Sequence, residues 1–268
     1  MLMSDRDYNK QIQIALQKAG DLVSELENST MYIKHKGDGP VTEMDHKLNQ
    51  LLYDELFVKE EGWLSEESND DLSRLSKSNV WIIDPIDGTH QFIKGVAEWA
   101  ISVALSKNGQ IIEAGMLNPW ADQLFLLNQR GSVELNGTEV SVTDKLDLSD
   151  VIVLTSRGEI RWGNWNKFQN STFQIKTMGS IAYRLGLVAS GIADATVSLE
   201  PKNEWDVAAG AYLVEKSGGI VSDLKGNKIN FNNKNTLLDG IIAAGPITHQ
   251  RLLNIITSKS SDIWLPNH

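Results

Sequence analysis

The stretch VWIIDPIDGTHQF, residues 80–92, decides the interpretation of the whole sequence. Four apolar residues lead directly into Asp84, and a second carboxylate, Asp87, follows three positions later with Pro85 between them. An apolar run of this kind predicts a buried strand. Because buried carboxylates cost free energy unless a positive charge compensates them, we expect a cation near the end of this strand.

The composition limits the kinds of site and partner. The chain has 268 residues, 41% of them hydrophobic and 22% charged, which suits one large domain or two closely joined ones. The formal net charge of −10 argues against nucleic acid or an anionic membrane as the main partner. There is no cysteine, which excludes thiolate metal sites, and the five histidines lack the spacing of a zinc site.

The N-terminal stretch MLMSDRDYNKQ contains no apolar core of signal-peptide length, and no segment approaches the length of a membrane span. We therefore expect a cytoplasmic protein without membrane insertion.

Hydrophobic periodicity predicts an α+β half followed by an α/β half, divided near residue 145. Two amphipathic helices are predicted at residues 7–26 and 42–57, and two more helices at 180–191 and 205–219. KHKGDGP, residues 34–40, is predicted to be a loop, and the polar segment 65–79 a mobile loop. Strands are predicted at 80–84, 97–105, 110–118, 122–128, 150–156, 172–178, 192–199 and 240–246. The expected domains are residues 1–145 and 146–268.

Acidic residues recur in VTEMD, LSEES, DPIDGT and EWDVAAG, and single acids have ordinary explanations. Asp45 follows Thr42 at the spacing of a helix capping box. The pair Glu66 and Glu67 is typical of a solvated loop, and Asp206 is suited to cap a helix. The DPIDGT turn is harder to explain in this way, since a turn needs one aspartate and this one has two next to an apolar strand.

If these acids converge, their mutual repulsion favours protonation or cation binding. Hard oxygen ligands suit Mg²⁺, which often pairs with phosphate. Gly88 and Thr89 lie where the strand turns into a short helix, so their backbone N–H groups are predicted to face an anion. A metal next to exposed amides is a phosphate site.

The four stretches VTEMD, SEES, WIIDPIDGT and EWDVAAG resemble, in order and approximate spacing, the inositol monophosphatase-like superfamily of Mg²⁺-dependent, typically lithium-sensitive phosphatases. The resemblance extends over residues 7–245. It implies an α+β / α/β fold, the layered αβαβα sandwich of the sugar phosphatases. It also implies a small-molecule phosphate monoester as substrate, and a homodimer is compatible with it.

The resemblance implies a role for each matching residue, with two to three Mg²⁺ ions as cofactor. The implied metal ligands are Glu66, Asp84, the Ile86 carbonyl, Asp87 and Asp206, most of them in the first domain and Asp206 in the second. Asp45 and Thr89, with Glu66, are the implied catalytic residues that activate water, and Glu67 supports the ligands. The implied phosphate or substrate residues are Gly88, Thr89, Lys34 (or Lys36 in its place), Ser156, Arg157, Gly179, Ser180 and Glu200.

Finer motifs resemble the 3'(2'),5'-bisphosphate nucleotidase branch, namely QFIK, EWD and the Ser-Arg pair of TSRGE. They predict conversion of 3'-phosphoadenosine 5'-phosphate to AMP, and inositol-1-monophosphatase is the alternative. Arg157, Lys202 and Arg184 are candidates for a second substrate phosphate, although each alone is typical of a surface cation. Trp99, Trp162 and Trp165 are candidates to stack on a base, although such residues more often pack in the protein.

Two other classes share part of the pattern. Phosphatases of the haloacid dehalogenase type form an aspartyl phosphate on acids that follow an apolar strand. They space two aspartates two positions apart, whereas Asp84 and Asp87 are three apart, and SEES would have no role in them. An inactive metal-binding relative is expected to lack a ligand or Thr89, and this sequence has all of them.

Overall fold

Two β-sheets and three groups of helices alternate as layers. The structure is a computed structural model that describes residues 7–26, 33–36 and 39–259, with the backbone alone at 26, 33–36 and 39–41. The helices are α1 (Tyr8–Leu26), α2 (Glu43–Leu56), α3 (Thr89–Ile93), α4 (Arg157–Arg161), α5 (Ile181–Ala189), α6 (Glu204–Lys216) and α7 (Pro246–Lys259).

The first sheet has seven strands in sequential order. They are β3 (Gly62–Ser65), β4 (Asn79–Asp87), β5 (Ala100–Lys107), β6 (Gln110–Asn118), β7 (Gln123–Leu127), β8 (Val133–Leu135) and β9 (Thr138–Glu139). The β3–β4 pair is parallel and the other pairs are antiparallel. Successive side chains of a strand point to opposite faces. Accordingly, Trp81 and Ile83 pack with α1 and α2, while Val80 and Ile82 pack with α5 and α6.

The second sheet has five strands, which lie in the spatial order β11 (Gln174–Thr177), β10 (Ile152–Thr155), β12 (Ala195–Ser198), β16 (Ile241–Ala244) and β14 (Ile220–Ser222). In β16, Ile241 and Ala243 face α5 and α6, whereas Ile242 and Ala244 share a core with Leu252 of α7. The layers are therefore helices, sheet, helices, sheet and helix, which confirms the predicted αβαβα sandwich.

The opening stretch ends at a bulge. Beside β4, β3 stops at Ser65, which pairs with Ile83. On the other side β5 pairs with Asp84 and again with Asp87, with a register shift between them. Pro85, which has no N–H to donate, lies in this irregular part, where a ladder bond is not required. Asp84 and Asp87 consequently stand at the carboxyl end of β4, where β3 also ends.

The prediction of a loop at residues 34–40 is wrong for the described part of that segment. Strands β1 (Ile33–Lys36) and β2 (Gly39–Thr42) form an antiparallel pair, while residues 37 and 38 lie outside the described residues. The sequence lacks the alternation of apolar and polar residues that would have indicated a hairpin. Strands β13 (Lys202–Asn203) and β15 (Leu237–Leu238) form another short pair.

The segment predicted as a mobile loop, residues 65–79, contains a 3₁₀ helix at Ser73–Ser76 and a buried anchor. The Arg74 guanidinium is buried and pairs with Asp70, with Nη2 2.8 Å from Oδ2. It also donates to Asn232 Oδ1 at 2.6 Å and to the Asn233 carbonyl at 2.9 Å. This segment is thus fastened to residues about 160 positions away.

The division into domains at residues 145 and 146 stays a prediction. In the described part of the chain, none of the helices combines the length and the apolar character needed to cross a membrane.

Candidate functional site

Three acids from distant parts of the chain meet at the carboxyl ends of β3 and β4. Glu66 follows β3, Asp84 lies near the end of β4, and Asp206 lies in the first turn of α6. One carboxylate oxygen from each lies within 4.8 Å of the other two. The parallel register places Glu66 beside Asp84, since the Glu66 N–H donates to the Ile83 carbonyl. The structure therefore brings together three of the predicted metal ligands.

The cluster strongly disfavours its own negative charge. Burial and the charge of Glu66 raise the pKa of Asp84 well above its ordinary value. Burial and the charge of Asp87 act in the same way on the pKa of Asp206. Burial, followed by the charges of Asp87 and Glu67, raises the pKa of Glu66 to about 7, although Glu66 is exposed at its outer part and water screens it there. Without a cation, burial and the mutual repulsion of these carboxylates therefore favour proton uptake by the cluster.

The residues fit a hard divalent cation. Asp84 is buried, and among the described residues no hydrogen-bond donor reaches its Oδ2. A buried carboxylate oxygen without a donor is costly, so a cation is its natural partner. The cluster offers only oxygen ligands, because its three members are carboxylates, and such a set suits Mg²⁺.

Asp87 is held by α5. Its Oδ2 accepts hydrogen bonds from the Ser180 hydroxyl at 2.7 Å and from the Ala182 N–H at 2.6 Å. Burial raises the pKa of Asp87, while these hydrogen bonds and the nearby charges of Arg184 and Lys202 oppose the increase. Ser180 is itself the N-cap of α5, so the helix start and the carboxylate fix one another.

The Asp45 carboxylate contacts both the N-terminus of α2 and Thr89 of the candidate site. Its Oδ2 accepts from the Thr42 N–H at 2.7 Å in the predicted capping box of α2. Its Oδ1 lies 3.5 Å from Thr89 Oγ1, which donates to the Ile86 carbonyl at 3.2 Å. Burial raises the pKa of Asp45 to about 6. The two predicted water-activating residues, Asp45 and Thr89, are therefore neighbours next to the acid cluster.

Asp206 repeats this arrangement in α6. The prediction that Asp206 is the N-cap is wrong, because Asn203 occupies that position. Asp206 is the third residue of the helix, and its Oδ2 accepts from the Asn203 N–H at 3.0 Å in a capping box. Oδ2 of Asp206 thus caps α6, while the same carboxylate lies within 4.8 Å of the Glu66 and Asp84 oxygens.

A cleft of about 240 Å³ opens beside Asp87 and Asp206. Its remaining lining residues come from both halves of the chain and are Gly88, Gln91, Ser156, Arg157, Gly158, Met178, Gly179, Ser180, Ile181, Arg184 and Lys202. Gly88 has φ of +100°, and a Cβ there would lie 3.0 Å from the Glu98 carbonyl oxygen, so the position requires glycine. Five of the predicted substrate residues thus line one cleft, namely Gly88, Ser156, Arg157, Gly179 and Ser180.

The remaining predicted site residues, Glu67, Glu200 and Lys34 or Lys36, are not among the described residues that line the cleft. The Glu67 side chain is buried, with Oε2 3.6 Å from Nδ1 of His46. Glu200 is half-buried and accepts from Asn164 Nδ2 at 2.8 Å, and it is not among the described residues that line the cleft. The backbone of Lys34 lies in β1, as does that of Lys36, and both side chains lie outside the described part of the chain.

Two of the tryptophans proposed to stack on a base are core residues. Trp99 is fully buried and packs against Phe92 and Trp120, and Trp165 is buried with its Nε1 donating to Glu159. A ring without an exposed face has no room for a ligand, so these two proposals are wrong. Trp162, in contrast, is 61% exposed, and its ring lies beside the cleft residue Gly158.

Two residues that entered the substrate prediction are buried. Glu204, part of the EWD motif, accepts from the backbone N–H groups of Asn232 and Asn233 and so fixes that turn. The Arg184 guanidinium contacts the Leu154 carbonyl and Thr196 Oγ1. Burial lowers the pKa of Arg184, and its charge supports Asp87 from within the protein.

Sequence reasoning did not single out Glu98. Its carboxylate accepts from Arg157 Nη2 at 2.7 Å and from the Gly179 N–H at 2.7 Å, so it joins two parts of the cleft wall. These partners lie 59 and 81 positions away. A single acid in a loop carries no local signal for contacts of this range, and only the folded chain reveals them.

The chain is similar to a known protein family in both sequence and structure. The model described as the inositol monophosphatase family matches residues 5–263. The chain is 29% identical to an inositol-1-monophosphatase of Mesorhizobium japonicum, over 91% of this chain and 93% of that protein. It is 31% identical to an inositol-1-monophosphatase of Rhizobium meliloti, over 79% of this chain and 84% of that protein. The solved structure of a Thermotoga maritima IMPase has a TM-score of 0.81 at 24% identity, over 94% of this chain and 97% of that chain, and it shows the same fold.

Proposed function

The chain belongs to the inositol monophosphatase family and is a phosphoric monoester hydrolase, and on this premise we propose that it hydrolyses a small phosphate monoester with Mg²⁺ and water. The observation that carries the proposal is the meeting of Glu66, Asp84 and Asp206 beside the cleft, with one buried Asp84 oxygen that receives no hydrogen bond from the described residues. A set of oxygens that repels its own charge binds divalent cations well.

The residues that would hold two to three Mg²⁺ ions are Glu66, Asp84, Asp87, Asp206 and the Ile86 carbonyl. When bound, a divalent cation supplies Lewis acidity, which lowers the pKa of water and offsets the charge of the phosphate.

The remaining residues position the substrate and move a proton. The Gly88 and Thr89 amides hold phosphate oxygens. Thr89 orients the attacking water, and Asp45, 3.5 Å from the Thr89 hydroxyl and with a pKa of about 6, accepts its proton. The oxygen of water attacks phosphorus directly as the ester P–O bond breaks, and the alcohol departs after its oxygen takes a proton from solvent. Inorganic phosphate is the second product, and the protein forms no covalent intermediate.

Inositol 1-phosphate is the first candidate substrate, because the relatives named above are inositol-1-monophosphatases. The EWD motif that favoured a nucleotidase gives little support to that activity, since Glu204 is buried against Asn232 and Asn233. The second candidate, 3'-phosphoadenosine 5'-phosphate, is supported by the exposed Trp162 ring next to Gly158, where a base could stack.

A substrate panel tests the proposal. Phosphate release would be measured from inositol 1-phosphate, 3'-phosphoadenosine 5'-phosphate, fructose 1,6-bisphosphate and NADP, with Mg²⁺ or with EDTA. We expect Mg²⁺-dependent release, competition by Li⁺ and the highest kcat/KM for inositol 1-phosphate. A higher value for the adenosine bisphosphate would instead favour the nucleotidase. Release that persists in EDTA, or full activity of Asp84→Asn, would contradict the metal-dependent mechanism.

A cytoplasmic location and a homodimer stay predictions from the sequence.

A further inference from the structure

Glu98 lies behind the cleft wall and contacts two residues that line the cleft, Arg157 and Gly179. It lies in the segment between α3 and β5, and it links Arg157 at the start of α4 with Gly179 just before α5. Both guanidinium Nη atoms of Arg157 contact the Glu98 carboxylate, and Nη2 lies 2.7 Å from Oε1. The pair is bidentate, which is the strongest geometry available to these two groups.

The pair changes what Arg157 offers to a ligand. Arg157 lines the cleft and is about half exposed, whereas the Glu98 side chain is only 20% exposed. Hydrogen bonds from Arg157 lower the pKa of the Glu98 carboxyl, so this group is ionised at neutral pH. The two charges cancel at short range, and the guanidinium therefore lacks the net positive charge that would attract a second substrate phosphate.

We propose that Glu98 is a specificity-determining residue that makes the cleft prefer phosphate monoesters whose alcohol part carries no charge. This inference rests on the proposed function. Arg157 lines the cleft, and the N–H donors of its guanidinium, with their charge offset by Glu98, suit hydroxyl groups of an uncharged alcohol. A second phosphate in the same place would lie close to a fixed carboxylate, and like charges at such distances repel one another.

Glu98 also orients its partners. Its carboxylate accepts the Gly179 N–H, and a Cβ at Gly179 would lie 2.6 Å from Gln91 Cγ and 2.8 Å from the Glu98 carbonyl oxygen. The cleft wall is therefore closely packed at the point where the carboxylate is attached. A fixed carboxylate discriminates between ligands better than a mobile one, because it cannot turn away from an incoming anion.

The test compares wild type with Glu98→Gln, which keeps the shape of the side chain and removes its charge. For each protein, kcat/KM is measured for inositol 1-phosphate and for fructose 1,6-bisphosphate with Mg²⁺. We expect the ratio of bisphosphate to monophosphate kcat/KM to rise about tenfold in Glu98→Gln, mainly through KM for the bisphosphate. The double variant Glu98→Gln/Arg157→Gln should lose this gain, since the freed guanidinium is its source. Glu60→Gln, an exposed acid of the same chain, is the matched control and should keep the wild-type ratio.

An unchanged ratio in Glu98→Gln, or an equal loss on both substrates, would overturn the inference, because a purely structural residue gives that result. A wild-type enzyme that already prefers the bisphosphate would overturn it as well. If the wild type with Mg²⁺ releases no phosphate from inositol 1-phosphate or from any other substrate of the panel, the proposed function is refuted and this inference with it. Phosphate release with an unchanged ratio in Glu98→Gln refutes this inference alone.

Discussion

Replacing Asp45 by asparagine should stabilise the metal-free protein while it removes activity. The pKa of Asp45 is raised from 3.8 to about 6 because the residue is buried. At 1.36 kcal/mol per pKa unit, the ionised side chain destabilises the fold by about 3 kcal/mol above pH 7. Asparagine avoids this cost, although it weakens the capping box with Thr42, which is worth about 1 kcal/mol. The expected net gain is about 2 kcal/mol.

The pH dependence identifies the cause. The pKa of Asp45 is higher in the folded than in the unfolded state, so protonated Asp45 favours the folded state. This contribution to the unfolding free energy is complete below pH 3.8 and is lost as the pH rises through about 6. The advantage of Asp45→Asn should therefore be absent at pH 4, grow between pH 4 and 7, and stay constant above pH 7.

Urea unfolding in EDTA, followed by the fluorescence of the eight tryptophans, measures this difference. Asp21→Asn, at an exposed position of α1, is the control and should change the unfolding free energy by less than about 0.5 kcal/mol. The reasoning about burial is refuted if Asp45→Asn is less stable than wild type at pH 8, or if the difference between them is the same at pH 4 and pH 8.

Three further predictions concern the cluster and the cleft wall. Asp84→Asn should lower kcat/KM at least about a hundredfold, because it removes a buried ligand charge. The control Asp21→Asn should keep wild-type phosphate release, and a loss below threefold in Asp84→Asn would contradict the role of Asp84. Mg²⁺ affinity measured by calorimetry should increase from pH 5.5 towards about 7, where Glu66 loses its proton, and then level off, so a flat profile speaks against proton competition. Gly179→Ala should cost about 1–3 kcal/mol in denaturant unfolding, since its Cβ would meet Gln91 Cγ at 2.6 Å, and an added Gln91→Ala should recover part of that loss.

The layers and the acid cluster could be predicted from sequence because their signals are local or were carried by a resemblance. The strand around Trp81 and Ile83 is apolar on both faces, and each face packs into a different hydrophobic core. No local sequence pattern predicts that Asp206 lies next to Asp84. This prediction came from the resemblance, which rests on the order of the four acidic stretches. The α7 helix was missed, although Pro246 at its first position and the apolar Leu252 and Ile256 are visible in the sequence.

Asp45 and Asp206 show why a choice between a structural and a functional explanation can mislead. Each carboxylate has two oxygens, and at both positions one oxygen closes a capping box. The sequence indicated the cap at Asp45 and the resemblance indicated the site, and the structure has both contacts. Burial is harder to foresee, since nothing local in the sequence distinguishes the fully buried Trp99 from the exposed Trp162.

The turn at Asn232 and Asn233 has a mechanical consequence. Arg74, eight residues after Glu66, bonds to both of these asparagines, and so does Glu204, two residues before Asp206. The segment that follows Glu66 and the start of the helix that carries Asp206 are thus both hydrogen-bonded to the same turn. Separating them would break several part-buried hydrogen bonds together, so we expect the distance between Glu66 and Asp206 to change little when a ligand enters or a product leaves.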